Sequence, residues 1–370
     1  MDREWYHIKN IEKIDSPAFV VYIDRVRENI YTIKSIIDDV TRLRPHIKTH
    51  KTKEISSLLL EAGIFKFKCA TIAEAELLGL AAAPDVLLAY QPVGPKLERF
   101  INLIKAYPST NFSCLVDNEK SAKNISEAAA KANFTIPVFI DLNVGMNRTG
   151  IDINGDVINL CQLISSLNAI ELKGFHVYDG HIKDPDLNKR KEESDLIFKR
   201  VEELKTSLLA KGFEEPIIVA GGTPTFPIHA KRKNVECSPG TFVYWDAGYV
   251  QNFPEQHFLP AALVITRVIS LPSKTKICLD MGHKSIAAEN DLNNRVQFLN
   301  APGIKPISQS EEHLVAEVLE GHSYQIGDVL YALPVHICPT AALYERAIVV
   351  ENGAIVTEWN TAARDRKIII

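Results

Sequence analysis

The feature that most constrains this chain is the alternation of short apolar runs with amphipathic stretches over its first two thirds. The stretches of helical period include Val26–Asp39, Ala73–Ala82, Glu119–Lys131 and Ser194–Leu209. The apolar runs have strand length and are Ala18–Ile23, Leu43–Ile47, Phe65–Ala70, Val86–Ala89, Phe112–Val116, Ile136–Leu142, Leu172–Val177, Ile217–Ala220 and Val235–Cys237. Such alternation indicates parallel strands joined by crossover helices. A repeat of roughly 25–35 residues favours a (β/α)8 barrel, with an open doubly wound sheet as the alternative.

The last third of the chain has a different pattern, because the helical period fades after about Asp246. Short β runs follow at Ala262–Leu271, Lys276–Asp280, Val315–Val318, Val329–Leu333, Arg346–Glu351 and Ala354–Trp359. Asn352-Gly353 between the last two runs predicts a tight hairpin. We therefore predict an α/β protein with a (β/α)8 TIM-type barrel followed by a mainly β C-terminal domain. Nine candidate strands for eight barrel positions place the first or the last outside the barrel.

Composition excludes several classes of function. The chain has 370 residues, 46% of them hydrophobic and 24% charged, with a formal net charge of -4. This profile is typical of a globular protein and argues against nucleic acid or a membrane as a partner. The beginning of the sequence, residues 1–5, is too polar for a secretory signal. Six scattered cysteines without a CxxC pair predict reduced thiols and a cytoplasmic location.

Several predicted strand ends carry polar groups that suit catalysis, since active sites of such barrels lie at the C-terminal ends of the strands. Lys48 follows Leu43–Ile47 in a dense basic and polar segment and is a candidate for a Schiff-base lysine. A solvated basic loop is the other interpretation. The segment 141–150 contributes acids, amides and Arg148, or only a glycine-rich loop with one salt bridge. His181 lies just past Leu172–Val177 and is a candidate catalytic group.

Two glycine-threonine loops follow the last two predicted barrel strands. Gly222 and Thr223 stand in the first loop, and Gly240 and Thr241 in the second. Exposed backbone amides beside a hydroxyl form an anion site, and this is the usual place for a phosphate in such barrels. Ordinary turns are the alternative.

The predicted β domain contains His336 and Cys338 in the segment Pro-Val-His-Ile-Cys-Pro-Thr. On an extended segment, two residues at this spacing point the same way. A thiolate and an imidazole suit zinc, and two protein ligands leave positions open for water or substrate. A chance pairing is the other interpretation.

Four motifs in this order resemble the D-threonine aldolase and D-serine dehydratase family, which are pyridoxal-phosphate enzymes of the alanine racemase fold type. The motifs are Arg-Pro-His-Ile-Lys-Thr-His-Lys (44–51), Gly-Gly-Thr-Pro-Thr (221–225), Ser-Glu-Glu-His (310–313) and Pro-Val-His-Ile-Cys-Pro-Thr (334–340). The resemblance runs from about Ser16 to Arg366. It implies a barrel over residues 24–247 and a β domain formed by 1–23 plus 248–370, with the first strand packed against the β domain. It also implies a head-to-tail homodimer with shared active sites.

The resemblance assigns a role to each candidate by motif. Lys48 matches the lysine that binds pyridoxal 5'-phosphate, and His336 and Cys338 match the divalent metal pair, with His-x-Cys resembling the zinc-dependent dehydratases. The aldolases tend to carry His-x-Asp. The other matched residues are Gly222, Thr223, Gly240 and Thr241 for the phosphate, Arg148, and Tyr178 and His181 for the strand end that faces cofactor and substrate.

Three residues depart from the family pattern. Asn143 stands where an aspartate is common, which puts a charge role there in doubt. Val335 replaces a frequent asparagine, so an outer hydrogen bond to the metal site is expected to be missing. Ser238 stands where an arginine or glutamine often faces the pyridine nitrogen, and a neutral serine weakens the ring as an electron sink.

The resemblance implies a lyase acting on small β-hydroxy-D-amino acids. Cys338 favours a dehydratase that forms a 2-oxo acid and ammonia, with Lys48 removing the α-proton. The alternative is an aldolase giving glycine and an aldehyde, for which His181 is the candidate base. A racemase or a non-catalytic cofactor-binding protein is a further alternative. Arg44, His50 and Lys51 form a possible basic rim for an acidic substrate or for the phosphate.

Overall fold

The computed structural model describes residues 5–370, and the chain forms two compact units. The barrel unit consists of residues 33–48, 53–240 and 365–370, and the β unit of residues up to 32, 49–52 and 241–364. The domains expected from the sequence, a barrel over residues 24–247 and a β domain of 1–23 plus 248–370, remain a prediction.

The elements begin with β1 (Ala18–Tyr22) and α1 (Ile23–Ile36). The strands that follow in the barrel unit are β2 (Lys66–Cys69), β3 (Asp85–Leu88), β4 (Asn111–Val116), β5 (Ile136–Asn143), β6 (Ile151–Asp152), β7 (Ile170–Val177), β8 (Ile217–Ala220) and β9 (Val235–Cys237). Its helices are α2 (Lys53–Glu61), α3 (Ile72–Leu80), α4 (Pro95–Ala106), α5 (Glu119–Lys131), α6 (Gly155–Ser166), α7 (Leu187–Ala210) and α8 (Phe226–His229).

The parallel sheet of the barrel unit runs in sequential order, β2-β3-β4-β5-β7-β8-β9, with β6 paired to β5. The order shows no reversal, which excludes the doubly wound alternative. The predicted strand Leu43–Ile47 closes the sheet through two isolated parallel bridges, Leu43 to Cys237 and His46 to Lys68. Because Pro45 has no N–H, a continuous ladder cannot form there. The eight positions confirm the predicted (β/α)8 barrel.

Local sequence explains where the helices around this barrel begin. Thr71 caps α3 by accepting a hydrogen bond from Glu74 N at 3.1 Å, and Glu74 accepts one in return from Ala70 N at 2.6 Å. These two bonds fix the start of the helix at the N-cap residue Thr71 and at the residue before it. Asn118 caps α5 by accepting from Ser121 N at 2.9 Å.

The further elements of the chain lie in the β unit and are α9 (Ala247–Asn252), β10 (Ala262–Ser273), β11 (Lys276–Leu279), β12 (Val296–Phe298), β13 (Lys305–Gln309), β14 (Leu314–Glu317), β15 (Val329–Pro334), α10 (Ile337–Ala341), β16 (Arg346–Glu351) and β17 (Ala354–Asn360). The strands of this unit form a mainly antiparallel sheet of the order β13-β14-β11-β10-β1-β16-β17, in which β15 joins β10 to β12. This architecture confirms the predicted, mainly β C-terminal part.

The first strand of the chain is central in the β unit, as expected. All five residues of β1 are buried, and β1 pairs antiparallel with β10 and parallel with β16. A strand buried on both faces needs a continuous apolar run, which Ala-Phe-Val-Val-Tyr supplies. The predicted hairpin joins β16 to β17, and Asn352 and Gly353 both have positive φ (50° and 72°), as a type I′ turn requires.

Candidate active site

The C-terminal ends of the barrel strands bring three cationic side chains to one aromatic ring. Tyr178 follows β7, and Lys48 Nζ lies 5.9 Å and Arg148 Cζ 4.9 Å from the centre of its ring. Lys68 Nζ, from β2, lies 5.6 Å from the same point. The barrel therefore gathers the predicted residues Lys48, Arg148 and Tyr178, together with Lys68, which the sequence analysis missed.

Tyr178 is held in place by glycines that leave room for its ring. A Cβ at Gly180 would lie 2.3 Å from Tyr178 Oη, and one at Gly222 would lie 3.3 Å from Tyr178 Cε2. The ring also stacks on that of His176, with 6.4 Å between centres and 10° between planes. A side chain at Gly180 would therefore collide with this ring, and one at Gly222 would press against it.

A buried hydrogen-bond chain leads from Lys68 into the barrel. Lys68 Nζ is 3.5 Å from His176 Nε2, and His176 Nδ1 is 2.7 Å from Asp141 Oδ1. Burial, and then the nearby charge of Lys48, lower the pKa of Lys68 to about 7. Burial alone would raise the pKa of Asp141, but His176, Thr149 and Gln91 hydrogen-bond to its carboxylate, and the net effect is a lowered pKa.

The loop after β5 is organised by an amide. Asn143 Nδ2 donates to Asn147 Oδ1 (3.0 Å) and Asp152 Oδ1 (2.9 Å), while its Oδ1 accepts from the backbone N–H groups of Gly145 and Asn147. The carboxylate of an aspartate could not donate the two hydrogen bonds that Asn143 Nδ2 makes, so the asparagine at this position stabilises the loop. His181 is exposed, and its ring lies against Gly145, where a Cβ would be 2.7 Å from Nε2.

The two glycine-threonine loops are joined at the ends of the neighbouring strands β8 and β9. Gly240 N donates to Thr223 Oγ1 at 3.1 Å, and Gly222 N lies 3.4 Å from Thr225 Oγ1. A carboxylate that the sequence analysis missed supports them: Asp179, 2% exposed, accepts from Thr225 Oγ1 at 2.8 Å and from His229 Nε2 at 2.8 Å. Burial would raise the pKa of Asp179, but His229 and these bonds lower it on balance.

Ser238 lies between β9 and the second of these loops. Its side chain is 3% exposed, and its Oγ has no hydrogen-bond partner in the part of the chain that the structure describes. A buried hydroxyl without a partner is costly, so this atom points to a group from outside the chain.

The β unit contains the predicted metal pair in a conformation that corrects one expectation. The segment is not extended throughout: β15 ends at Pro334, His336 is extended (φ -131°), and α10 begins at Ile337. Cys338 therefore stands in the first turn of a helix. Asp246 caps the start of this helix by accepting from Ile337 N at 2.9 Å, and Thr340 Oγ1 donates to His336 O at 2.9 Å within the first turn.

His336 has an outer partner in Glu289, which the sequence analysis missed. Glu289 Oε1 hydrogen-bonds to His336 Nδ1, an arrangement that fixes the imidazole tautomer as in many metal sites. Glu289 thus supplies the outer hydrogen bond that was expected to be missing because of Val335. Burial acts to lower the pKa of His336, but Cys338 and Glu289 outweigh it and raise that pKa to about 9.

Cys338 is the one cysteine of the six that is not buried. Its Sγ lies 3.2 Å from Thr49 Oγ1 and 3.8 Å from Thr241 Oγ1. Thr49 directly follows Lys48 in the sequence, and Thr241 directly follows Gly240. Within residues 5–370, no group of three or more His, Cys, Asp and Glu side chains is placed to hold a metal. The pair therefore has no third protein ligand of these types in the described chain.

The suggested basic rim of Arg44, His50 and Lys51 is wrong for at least two of its members. Arg44 is buried, and it pairs with Glu236 (2.7 Å) and Asp85 (2.6 Å), so its charge is used inside the barrel. His50 is 1% exposed, and burial, with help from the charge of Lys51, lowers its pKa to about 3. His50 is therefore uncharged at neutral pH.

The residues that the sequence analysis missed are all polar and hydrogen-bonded; Lys68, Asp141 and Asp179 are buried, whereas Glu289 is exposed. Lys68 and Asp141 alternate with apolar neighbours on strands, so their positions on the inner face followed from the period of two. For Glu289 there was no sequence pattern, because it contacts His336 across 47 positions.

Comparison with known proteins gives a consistent result over the whole length. A family model described as alanine racemase, N-terminal domain, matches residues 21–247, and one described as putative serine dehydratase domain matches 261–350. D-threonine aldolase from Arthrobacter sp. is 27% identical over 96% of this chain and 94% of its own. 3-Hydroxy-D-aspartate aldolase from Paracoccus denitrificans (strain Pd 1222) is 24% identical over 96% and 93%. D-threo-3-hydroxyaspartate dehydratase from Delftia sp. (strain HT23) is 23% identical over 94% and 97%.

Solved structures agree on the fold. D-threonine aldolase from Filomicrobium marinum superposes with a TM-score of 0.87 at 26% identity, covering 95% of both chains. A cysteine-to-alanine variant of D-threo-3-hydroxyaspartate dehydratase in a metal-free form superposes with a TM-score of 0.82 at 22% identity, covering 95% of this chain and 99% of its own. Residues 5–370 include no helix that combines the length and the apolar character needed to cross a membrane.

Proposed function

The chain belongs to the alanine racemase N-terminal domain family of pyridoxal-phosphate enzymes, and on this premise we propose that it is a zinc-dependent lyase of β-hydroxy-D-amino acids. The relatives that match it along nearly its full length are aldolases and dehydratases. An alanine racemase from Clostridium perfringens (strain SM101 / Type A) matches only 42% of this chain. The racemase and non-catalytic alternatives therefore have less support than a lyase.

The barrel unit fits pyridoxal 5'-phosphate in three respects. Lys48 is a half-buried amine beside an aromatic ring, as a lysine that binds an aldehyde requires. The loops around Gly222, Thr223 and Gly240 meet at the ends of adjacent strands, where this fold binds phosphate. The orphaned Ser238 hydroxyl offers a hydrogen bond to the ring of the cofactor.

His336 and Cys338 fit a divalent metal. An imidazole and a thiol suit zinc, and Glu289 orients the imidazole as outer partners do in known metal sites. With two protein ligands, the remaining positions are filled by water or substrate, which is the arrangement of a catalytic rather than a structural ion. We include Thr241 with the residues around Cys338, because its hydroxyl approaches that sulfur.

The residues of the chain divide the work of the reaction. When bound, the cofactor supplies an electron sink at the substrate Cα, and zinc supplies Lewis acidity at a substrate oxygen. Lys48 Nζ holds the cofactor and then takes the Cα proton. Arg148 and Tyr178 orient the bound molecule, and the backbone amides near Gly222 and Gly240 hold its phosphate.

Of the two lyase activities, we propose that the chain is a dehydratase, because its metal pair contains Cys338. In the related D-threo-3-hydroxyaspartate dehydratase, the variant in which a cysteine is replaced by alanine was obtained in a metal-free form. The second candidate is an aldolase, favoured by the identity of 27% with D-threonine aldolase. In that reaction His181 is the candidate base for the β-hydroxyl proton, and its exposed imidazole is free to accept it.

Product analysis from D-threonine tests the proposal, because D-threonine is open to both reactions. Purified protein loaded with zinc and pyridoxal 5'-phosphate is expected to give 2-oxobutanoate and ammonia. Glycine with acetaldehyde would establish the aldolase instead. If D-threonine, D-serine and D-threo-3-hydroxyaspartate all give neither a 2-oxo acid with ammonia nor glycine with an aldehyde, a lyase of this substrate class is contradicted.

Zinc content of the purified protein tests the metal site separately. We expect one zinc per chain in the wild type and its loss in Cys338→Ala, measured by atomic emission. Cys278→Ala is a matched control, since Cys278 is a buried cysteine of the same unit. Equal zinc content in the wild type and Cys338→Ala would contradict this assignment.

We further propose that the chain works as a homodimer, as the family resemblance implies. Light scattering after size-exclusion chromatography is expected to give twice the chain mass of 41.3 kDa. A monomer that is fully active would contradict shared active sites.

A further inference from the structure

Lys68 is a buried lysine for which the proposed reaction has no use. Its side chain lies inside the barrel on β2 and is 2% exposed. In the described chain, no carboxylate forms an ion pair with it, and its hydrogen-bond partner is His176 Nε2 at 3.5 Å. A buried ammonium is expensive unless it is paired. The amine of Lys68 is therefore expected either to be neutral or to pair with an anion of a bound ligand.

The partner of Lys68 is held in a defined protonation state. Asp141 Oδ1 lies 2.7 Å from His176 Nδ1, so the imidazole donates there and presents its Nε2 lone pair to Lys68. Lys68 is thus the donor of the long hydrogen bond to His176. The hydrogen-bond chain from Asp141 through His176 holds Lys68 in place, but it puts a neutral imidazole, and not a carboxylate, next to the Lys68 nitrogen.

Four charged side chains at the barrel mouth act on the amine of Lys68. They are the cations Lys48 and Arg148 and the carboxylates Asp141 and Asp179. Burial is the largest influence, and together they bring the pKa of Lys68 to about 7, so the amine exchanges its proton readily near neutral pH. An oxyanion placed beside it would raise that pKa and draw in a proton from solvent.

We propose that Lys68 is the cation for an oxyanion of the bound cofactor or substrate, and that it takes up one proton when this oxyanion arrives. Lys68 Nζ lies 5.6 Å from the centre of the Tyr178 ring, which Lys48 and Arg148 also approach, so a ligand bound to Lys48 comes close to Lys68. The inference rests on the proposed cofactor. The oxyanion is either the phenolic oxygen of pyridoxal phosphate or the carboxylate of the amino acid.

Proton uptake on ligand binding tests this role without any turnover. Cofactor-free protein in weak buffer at pH 8 is mixed first with pyridoxal 5'-phosphate and then with D-alanine, which has no β-hydroxyl group. A pH indicator reports the protons taken up, and absorbance reports cofactor binding. We expect the wild type to take up about one proton per chain more than Lys68→Met in one of the two steps. Uptake in the first step identifies the cofactor oxygen, and uptake in the second the substrate carboxylate.

A second variant separates the proton from the charge. Lys68→Arg keeps a permanent cation, since guanidinium stays protonated, so it is expected to bind both ligands without the extra proton. Lys173→Met is the matched control, because Lys173 lies on β7 at the surface and pairs with Glu171. Its uptake is expected to equal that of the wild type. Circular dichroism shows whether each variant is folded.

The outcomes distinguish this inference from the function on which it rests. If the wild type binds pyridoxal phosphate but shows the same uptake as Lys68→Arg in both steps, the role of Lys68 is wrong and the proposed function stands. If the wild type does not bind the cofactor, both are wrong.

Discussion

At the scale of single residues, the barrel mouth depends on two buried carboxylates that each bond to a histidine. Asp141 orients His176, and Asp179 joins Thr225 to His229. Neither carboxylate pairs with a lysine or arginine in the described chain. Their hydrogen bonds fix the loops on which the candidate site stands, so their loss affects stability as well as ligand binding.

Replacing Asp179 is expected to destabilise the protein. Asp179→Asn weakens its charge-assisted hydrogen bonds, and we expect the free energy of unfolding at pH 7 to fall by about 2–3 kcal/mol in urea titrations. The lowered pKa of Asp179 means that this contribution is present above the pKa of the unfolded carboxyl and is lost as pH falls through the folded value. The difference between wild type and variant therefore shrinks in acid. Asp365→Asn, at an exposed position, is the control and is expected to change nothing.

His50 predicts a second dependence on pH. Its pKa is lowered to about 3 in the folded protein, so below about pH 6.5 the unfolded chain gains a proton that the folded chain does not bind. Stability from this group is complete above pH 6.5 and falls toward pH 3, by up to about 1.4 kcal/mol per pH unit. His50→Asn keeps an acceptor for Thr52 N and is expected to flatten the stability curve over this range. His7→Asn, at an exposed position, should leave the curve unchanged if the assignment is right.

Much of the candidate site could be predicted from single residues, and the remainder could not for a physical reason. The placement of Lys48, Arg148 and Tyr178 around one point followed from strand ends and motifs. The burial of Arg44 did not, because its partners Glu236 and Asp85 come from distant strands. Such ion pairs form only when the barrel closes and brings distant strands together, so no local sequence pattern predicts them.

At the scale of elements, most strands of the barrel were predictable from their apolar runs, and the prediction was wrong where the backbone could not continue a ladder. Ile217–Ala220 and Val235–Cys237 have the predicted bounds. Leu43–Ile47 forms only bridges around Pro45. The strands β12 and β13 were missed, since their short runs mix polar and apolar residues.

Gly174 shows how closely two barrel strands approach each other. A Cβ at Gly174 would lie 1.9 Å from Ile217 O, so Gly174→Ala must displace the backbone where β7 pairs with β8. We expect a loss of about 3–5 kcal/mol in the free energy of unfolding. Gly303→Ala is the matched control, because a Cβ there meets nothing within 4 Å. A stability of Gly174→Ala equal to that of the control would contradict the close approach.

At the scale of the whole molecule, the compact units do not follow the order of the chain. The barrel unit ends with the segment 365–370, which returns after the strands of the β unit. Glu76 is fully buried and accepts from Ile369 N (3.0 Å) and Ile370 N (3.2 Å), and Arg99 Nη2 donates to Ile370 O at 2.6 Å. A buried carboxylate thus anchors this segment to the barrel helices α3 and α4.

This anchoring can be measured at the two amides. Glu76→Gln removes the charge from both hydrogen bonds, and we expect hydrogen exchange of Ile369 and Ile370 to accelerate about tenfold or more. Mass spectrometry of a C-terminal peptide gives the rates. Glu127→Gln, at an exposed position on α5, should exchange like the wild type. Unchanged protection in Glu76→Gln would show that the segment is held by other contacts.

The central position of β1 has a consequence for the time course of biosynthesis. Val20 pairs with Ile348, about 328 residues later in the chain (348 minus 20). At a ribosomal rate of about 5–20 residues per second, this strand waits roughly 16–66 s for its last neighbour. During that interval its five apolar residues lack the complete sheet that covers them in the folded protein. Nascent chains of this protein are therefore expected to recruit chaperones through their first strand.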